Sequence, residues 1–219
     1  MSLHLVYGGT FDPIHCGHLA IACAARDALD CTVHLMPAGD PPHRAPPGAD
    51  GATRAAMVAL AIEDMPSLVL DRRELEREGR SYTVDTLAEL RSELGAAQPL
   101  AWLVGADSLL GLPGWHRWRD LFGLAHLVVA ERPGSALDAA LPTGLADALQ
   151  DRWTRAPADL RSQPAGRVLR LHQPLSHVSA TAVRARLAAG ASTADWLPPA
   201  VAAFIHEKGL YGAAARAPL

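Results

Sequence analysis

Apolar residues along the chain fall into short runs separated by longer stretches with helical spacing. Residues 3–7 form a compact apolar run that ends at Gly8-Gly9, and the Ala-rich stretch 14–29 behind it reads as a helix. A second strand is expected at 32–36, a helix at 52–64, a short strand at 68–70, and a helix at 84–94 with Gly95 just past its end. Residues 100–104 and 127–130 are apolar throughout, as strands buried on both faces of a parallel sheet are. A last strand is expected at 168–171, followed by closing helices at 180–189 and 199–208. The stretch 37–50 carries Pro37, Pro41, Pro42, Pro46 and Pro47 with Gly39 and Gly48, which makes it a loop.

Strand–helix alternation of this kind implies an α/β fold, a doubly wound parallel sheet with helices on both faces and a helical C-terminal portion. Ligands of such sheets bind outside the carboxyl ends of the strands, where the strand order reverses. Residues 135–166 break the rhythm: they are rich in Pro and Ala and carry no strand signal, so a peripheral insertion of short helices and loop is expected there. No internal repeat is visible. With 219 residues the chain is expected to form one domain over 1–219.

Composition narrows the partners. At 49% hydrophobic and 20% charged residues the chain has the makeup of a folded domain, not of a disordered one. A formal net charge of −3 argues against nonspecific binding to nucleic acid or to a membrane surface, while leaving room for a local cationic pocket. Cys16, Cys23 and Cys31 match no common zinc spacing, and an odd number without a secretory signal reads as free thiols in a reducing compartment. No basic leader precedes an apolar stretch, and no apolar run approaches the ~18 residues of a membrane span. A cytoplasmic protein is expected; a homo-oligomer stays open.

The densest chemistry lies in Gly8-Gly9-Thr10-Phe11-Asp12-Pro13-Ile14-His15-Cys16-Gly17-His18. Two glycines after a strand permit a sharp turn and a close backbone approach to a ligand. Pro13 suits the first position of a helix, and a helix N-terminus offers unpaired N–H groups to phosphate. His15 and His18, three apart, are expected on one face of the first turn with Gly17 keeping that face open; two imidazoles there can donate to charge building on phosphate oxygens. Alone, a Gly-Gly is a turn and a buried histidine a core residue. The segment lacks the Gly-Lys-Ser/Thr of a Walker A loop and the three-glycine dinucleotide pattern, and no third ligand stands at metal spacing from the histidine pair.

A second cluster stands at Val178-Ser179-Ala180-Thr181-Ala182-Val183-Arg184. Ser179 is placed as an N-cap before an Ala-rich helix that Gly190 closes, and Thr181 and Arg184 face one way from its first turns. Hydroxyl, guanidinium and helix N-terminus together suit a triphosphate tail. By itself this stretch is a capped surface helix with an incidental arginine; it gains weight from the first cluster, since both fall at the ligand edge of the sheet.

The first segment resembles the signature of the HIGH-superfamily nucleotidyltransferases, and Val178–Arg184 is similar to the Ile-Ser-x-Thr-x-x-Arg motif of the same superfamily. The resemblance implies a Rossmann-like nucleotidyltransferase fold in which the two histidines and the adjoining backbone hold a nucleotide's phosphates. Between the clusters, Pro41-Pro42-His43-Arg44, Ser81-Tyr82-Thr83, Gly105-Ala106-Asp107-Ser108, Trp115 and Arg132-Pro133-Gly134 occur in order. From residue 3 to about residue 212, with a late Gly209-Leu210-Tyr211, the chain looks like the bacterial nicotinate-nucleotide adenylyltransferases. Two positions depart: Ala38-Gly39 stands where relatives often have Asn, and His116 where some carry Tyr.

The resemblance implies transfer of the adenylyl group of ATP to nicotinate mononucleotide, giving deamido-NAD and pyrophosphate in NAD biosynthesis, with Mg2+ accompanying ATP. His15, His18 and Arg184 are the expected catalytic residues. ATP would be met by Gly8, Gly9, Thr10, Phe11, His15, His18, Gly105, Asp107, Arg132, Ser179, Thr181 and Arg184. The acceptor would be met by His43, Arg44, Tyr82, Thr83, Asp107 and Trp115, with the Trp115 ring as a stacking surface and donors around Tyr82 and Thr83 for the carboxylate. The rival readings are a transferase for phosphopantetheine or a cytidylyl acceptor, and a noncatalytic nucleotide sensor. Neither transferase accounts for Ser81-Tyr82-Thr83 together with Trp115, and a sensor has no need of both histidines and Arg184.

Overall fold

Seven parallel strands in the order β3-β2-β1-β4-β5-β7-β6 form the sheet of the computed structural model, which describes residues 2–39, 48–131, 141–173 and 176–213. The strands are β1 (His4–Gly9), β2 (Val33–Pro37), β3 (Leu68–Leu70), β4 (Leu100–Gly105), β5 (His126–Ala130), β6 (Trp153–Thr154) and β7 (Val168–Leu171). The helices are α1 (Cys16–Leu29), α2 (Gly51–Ile62), α3 (Arg73–Glu76), α4 (Thr83–Leu94), α5 (Ala106–Leu110), α6 (Leu121–Leu124), α7 (Thr143–Leu149), α8 (Asp159–Ser162), α9 (Ala180–Ala188) and α10 (Pro199–Glu207). The chain runs outward from β1 through β2 to β3, then returns to lay β4 on the other side of β1. The order therefore reverses between β1 and β4, and their carboxyl ends open the crevice in which sheets of this type bind ligands.

Alternate residues of the central strands enter opposite cores, as a period of two demands. Leu5 and Tyr7 of β1 join Leu103 of β4 and Val128 of β5 in one core, with side chains of α1, α2, α9 and α10. Val6, Trp102, Leu127 and Val129 enter the other, with α4, α5, α6 and α7. Covering on both faces explains why these strands read as unbroken apolar runs. The C-terminal helices α9 and α10 both serve the first core through Val183, Leu187, Val201 and Ile205.

The helix expected at 14–29 starts two residues late, and Pro13 does not occupy its first position. Phe11 has φ 49°, the Asp12–Pro13 peptide is cis, and His15 is the extended N-cap residue before Cys16. The chain thus turns between β1 and α1 before the helix begins, and Pro13 falls within that turn. The segment 135–166, expected to lack a strand, supplies β6, which pairs with β7 at the sheet edge. Two residues are too few for a period of two to show. Pro37 closes β2 instead of opening the loop.

Three histidines sit in the sheet away from the crevice. The His4 and His34 rings stack with centroids 4.0 Å apart. Burial, then the neighbouring His34 and Arg73, lowers His4 from 6.5 to about 4, and burial lowers His34 as well. His126 is fully buried; its Nε2 lies 2.9 Å from the Gln163 carbonyl and its Nδ1 accepts from the Arg167 N–H at 2.9 Å. That pairing fixes the neutral tautomer, and burial lowers its pKa too. Each is held neutral in the fold to a lower pH than in the unfolded chain, so its contribution to stability is full above pH 6.5 and falls as the pH drops below that value, for His4 until about pH 4. Melting curves in a pH series are expected to show a lower Tm below pH 6.5, with a shallower fall for His4→Leu. An equal slope in the variant would remove His4 from the account.

Candidate active site

The turn between β1 and α1 is built around two aromatic rings. A Cβ on Gly8 would lie 2.2 Å from Trp102 Cζ2, and one on Gly9 would lie 2.9 Å from Phe11 Cζ. The glycines are required by these rings, not by an unusual φ at either position. Trp102 lies beside Val6 in register and reaches diagonally over Gly8 on the same face. Phe11 turns its edge to His18 at 5.0 Å between centroids, and Tyr7 meets Phe11 edge-on at 5.5 Å.

As the N-cap residue, His15 projects over the first turn of α1, where His18 lies. The two imidazoles stack with centroids 3.7 Å apart and planes inclined by 27°. His15 is buried and His18 half-buried. Gly17 makes the stack feasible: a Cβ there would lie 3.0 Å from His15 Nδ1 and 3.1 Å from Ser176 Oγ.

The second cluster meets the first directly. Ser179 caps α9 by accepting from the Ala182 N–H at 3.2 Å. Arg184 Nη1 donates to the Asp12 carbonyl at 2.7 Å and stands 3.6 Å from Asp12 Oδ2, across a sequence separation of 172 residues. Its Nη2 donates to Thr181 Oγ1 at 3.4 Å. The Asp12 carboxylate also accepts from the Gly48 N–H at 2.8 Å, the Ala49 N–H at 3.1 Å and the Tyr211 hydroxyl at 2.7 Å. Burial, then the bond to Asp12, drives the Tyr211 phenol well above its ordinary pKa, so it remains a donor.

Two adjoining cavities open at the switch point. The larger, of about 620 Å3, is lined by Gly8, Gly9, Thr10, Phe11, Asp12, His15, His18, Gly105, Asp107, Ser179, Thr181 and Arg184 among others. The smaller, of about 150 Å3, is lined by Ala38, Glu74, Ser81, Tyr82, Thr83, Trp102, Trp115 and His116. Gly8, Gly9, Thr10, Gly105 and Ser108 border both, so they form the wall between them. A nucleotide-sized ligand fits the first, and a single flat ring fits the second. Tyr82 is the N-cap residue of α4 and its ring meets His116 at 4.5 Å, giving the smaller cavity an aromatic side beside a helix N-terminus.

A cytidylyltransferase-like family model matches residues 6–186. A protein of Stenotrophomonas maltophilia strain K279a, named as a probable nicotinate-nucleotide adenylyltransferase, is 60% identical over 216 residues, covering 96% of this chain and 97% of its own. A protein of Xylella fastidiosa strain 9a5c with the same name is 47% identical over 215 residues, covering 96% and 97%. The chain belongs to the nicotinate-nucleotide adenylyltransferase family. It is an enzyme of the nucleotidyltransferase class. The fold agrees: the solved structure of Plasmodium falciparum nicotinic acid mononucleotide adenylyltransferase complexed with NaAD superposes with a TM-score of 0.70 at 17% identity, covering 96% of this chain and 98% of that one.

Within this family frame, the residues expected to meet ATP that are described all line the larger cavity. Of those expected to meet the acceptor, Tyr82, Thr83 and Trp115 line the smaller cavity and Asp107 the larger. His43, Arg44 and Arg132 lie outside the described residues. The departure at Ala38-Gly39 has a local reason: a Cβ on Gly39 would lie 2.6 Å from the Glu74 carbonyl oxygen and 3.1 Å from Ser81 Cβ.

Sequence reasoning missed three residues of the site and one that stands behind it. Trp102 stands inside an apolar run and gives no sign that it lines a cavity. Glu74 borders the smaller cavity, with Thr86 Oγ1 donating to its Oε1 at 2.8 Å and the Gly39 N–H to its Oε2 at 3.3 Å. Asp12 was visible only as part of a motif. Arg54 had a legible signal: it precedes buried Met57, Val58, Ala61 and Ile62 at helical spacing, so the period places a charge on the buried stripe of α2.

Proposed function

We propose that this chain transfers the adenylyl group of ATP to nicotinate mononucleotide, releasing pyrophosphate and forming deamido-NAD in NAD biosynthesis. The observation that carries this reading is the convergence of the histidine pair, Thr181 and Arg184 on one cavity that shares a wall with a smaller aromatic one. ATP is assigned to the larger cavity and the pyridine ring to the smaller, where Trp115 offers a stacking face and the α4 N-terminus with Thr83 offers donors to the carboxylate. Relatives that carry the activity in their names and span nearly the whole chain support the assignment.

The acceptor phosphate is an anion at neutral pH and needs no general base. Its oxygen attacks the α-phosphorus in line, the P–O bond to the β-phosphate breaks, and pyrophosphate leaves with the electron pair. Catalysis is then alignment plus neutralisation of charge on the equatorial and leaving oxygens. His15 and His18 serve the α- and β-phosphates; Thr181 and Arg184 hold the departing pyrophosphate. His43 and Arg44 remain assigned to the acceptor and Arg132 to ATP, as read from the sequence.

The donor set fits Mg2+ brought in on the triphosphate. No group of three or more His, Cys, Asp or Glu side chains is placed to cage a metal among the described residues, while the larger cavity carries the Asp107 carboxylate. Mg2+ keeps several waters and takes one or two carboxylates beside phosphate oxygens; Asp12 also lines the larger cavity but is engaged by Gly48, Ala49, Tyr211 and Arg184, so Asp107 is the residue that would hold the ion. Bound there, it would supply charge neutralisation to the leaving oxygens.

The whole chain is read as one domain, with 135–166 as a peripheral insertion. No described helix is long and apolar enough to cross a membrane. A cytoplasmic setting is assigned from the sequence reading of an odd cysteine count, and neither nucleic acid nor a membrane is assigned as a partner.

The test is a pyrophosphate-release assay with ATP and a panel of pyridine mononucleotides, run in parallel with phosphopantetheine and with a cytidylyl donor–acceptor pair. Release is expected with nicotinate mononucleotide. Silence across the panel would leave a nucleotide sensor, and release only with phosphopantetheine or a cytidylyl donor–acceptor pair would move the chain elsewhere in the superfamily.

A further inference from the structure

Arg54 is 2% exposed, yet it is not part of either cavity wall. Its three guanidinium nitrogens donate to carbonyls of three separate segments. Nη1 meets the Thr10 oxygen at 2.7 Å, Nη2 the Ala38 oxygen at 2.8 Å, and Nε the Ala49 oxygen at 3.3 Å. Thr10 follows β1, Ala38 follows β2, and Ala49 precedes α2. A planar fork of fixed geometry sets the spacing of such segments in a way that a flexible ammonium does not.

We infer that Arg54 is a positioning residue for ATP, acting through the turn between β1 and α1. In a trans peptide the C=O and the following N–H point opposite ways. Holding the Thr10 carbonyl toward Arg54 therefore turns the Phe11 N–H away from Arg54, in a stretch where Thr10 and Phe11 line the larger cavity and Arg54 does not. Phe11 sits at φ 49°, a conformation that non-glycine residues keep only where the surroundings enforce it. Arg54 supplies that enforcement from behind, while Arg184 holds the Asp12 carbonyl from the other side. The inference rests on the adenylyl-transfer reading for its kinetics, but not for its binding measurement.

The test compares Arg54→Lys and Arg54→Met with the natural enzyme. ATP binding is measured calorimetrically without acceptor, and kcat and both KM values are measured per folded protein. Arg54→Lys is expected to raise the ATP Kd and KM about tenfold, with the KM for nicotinate mononucleotide within about threefold, because misaligned phosphate contacts lose their fit; Arg54→Met is expected to lose more. A packing role would lower the Tm and the folded fraction while leaving ATP binding by the folded fraction unchanged, and that result overturns the inference. So does failure of both variants to fold. If the natural enzyme transfers nothing to nicotinate mononucleotide while Arg54→Lys still weakens ATP binding, the positioning role stands and the acceptor assignment falls.

Discussion

Replacing His18 by alanine is expected to lower kcat by ~10²–10³, the usual loss when one oriented donor to developing charge is removed. The position of the ring makes this expectation specific. It is stacked on His15 at 3.7 Å, meets Phe11 edge-on at 5.0 Å and Tyr7 at 6.2 Å, and projects from the first turn of α1 into the larger cavity. Held on these sides, the imidazole needs no rearrangement as charge builds on the phosphate oxygens, so its contribution falls on the transition state more than on bound ATP. The KM for ATP is therefore expected to move far less than kcat. Steady-state pyrophosphate release measures both. Unchanged turnover would strip His18 of its assigned part; a rise in KM at constant kcat would reduce it to a ground-state contact.

The sheet was legible in the chain because its strands are buried on both faces. The runs at 68–70 and 168–171 coincide with β3 and β7, and the others differ by a residue or two at their ends. The two motifs were legible because each combines a helix start with side chains of one chemistry. What stayed hidden depends on neighbours distant in sequence. The reason for Gly8 is Trp102, which reaches it only through the register of β1 against β4. The late start of α1 follows from the turn that Asp12, Arg184, Gly48, Ala49 and Tyr211 fasten together, and no local preference announces such a junction. The helices α3, α5, α6 and α8 are four or five residues long, below the length at which a helical period can be read. Arg54 is the instructive omission: the pattern of α2 already placed a charge among buried positions, and a charge there demands partners.

Arg184→Ala is expected to lower kcat/KM for ATP by ~10², with most of the loss in KM, because a charge-assisted contact to a polyphosphate disappears. The hydrogen bonds around Asp12 keep this from being a collapse of the turn. Without Arg184 the Asp12 carboxylate still accepts from the Gly48 and Ala49 N–H groups and from Tyr211. The turn before α1 thus retains three of its fastenings, and the smaller cavity, to which Arg184 does not contribute, keeps its walls. The KM for nicotinate mononucleotide should accordingly stay near its natural value. Arg184→Lys restores the charge but not the fork that spans Asp12 and Thr181, so it should recover only part of the ATP affinity. A defect confined to the acceptor would contradict the assignment of Arg184 to the triphosphate. Two chain segments 172 residues apart meet at this guanidinium, and its loss should be felt on the ATP side alone.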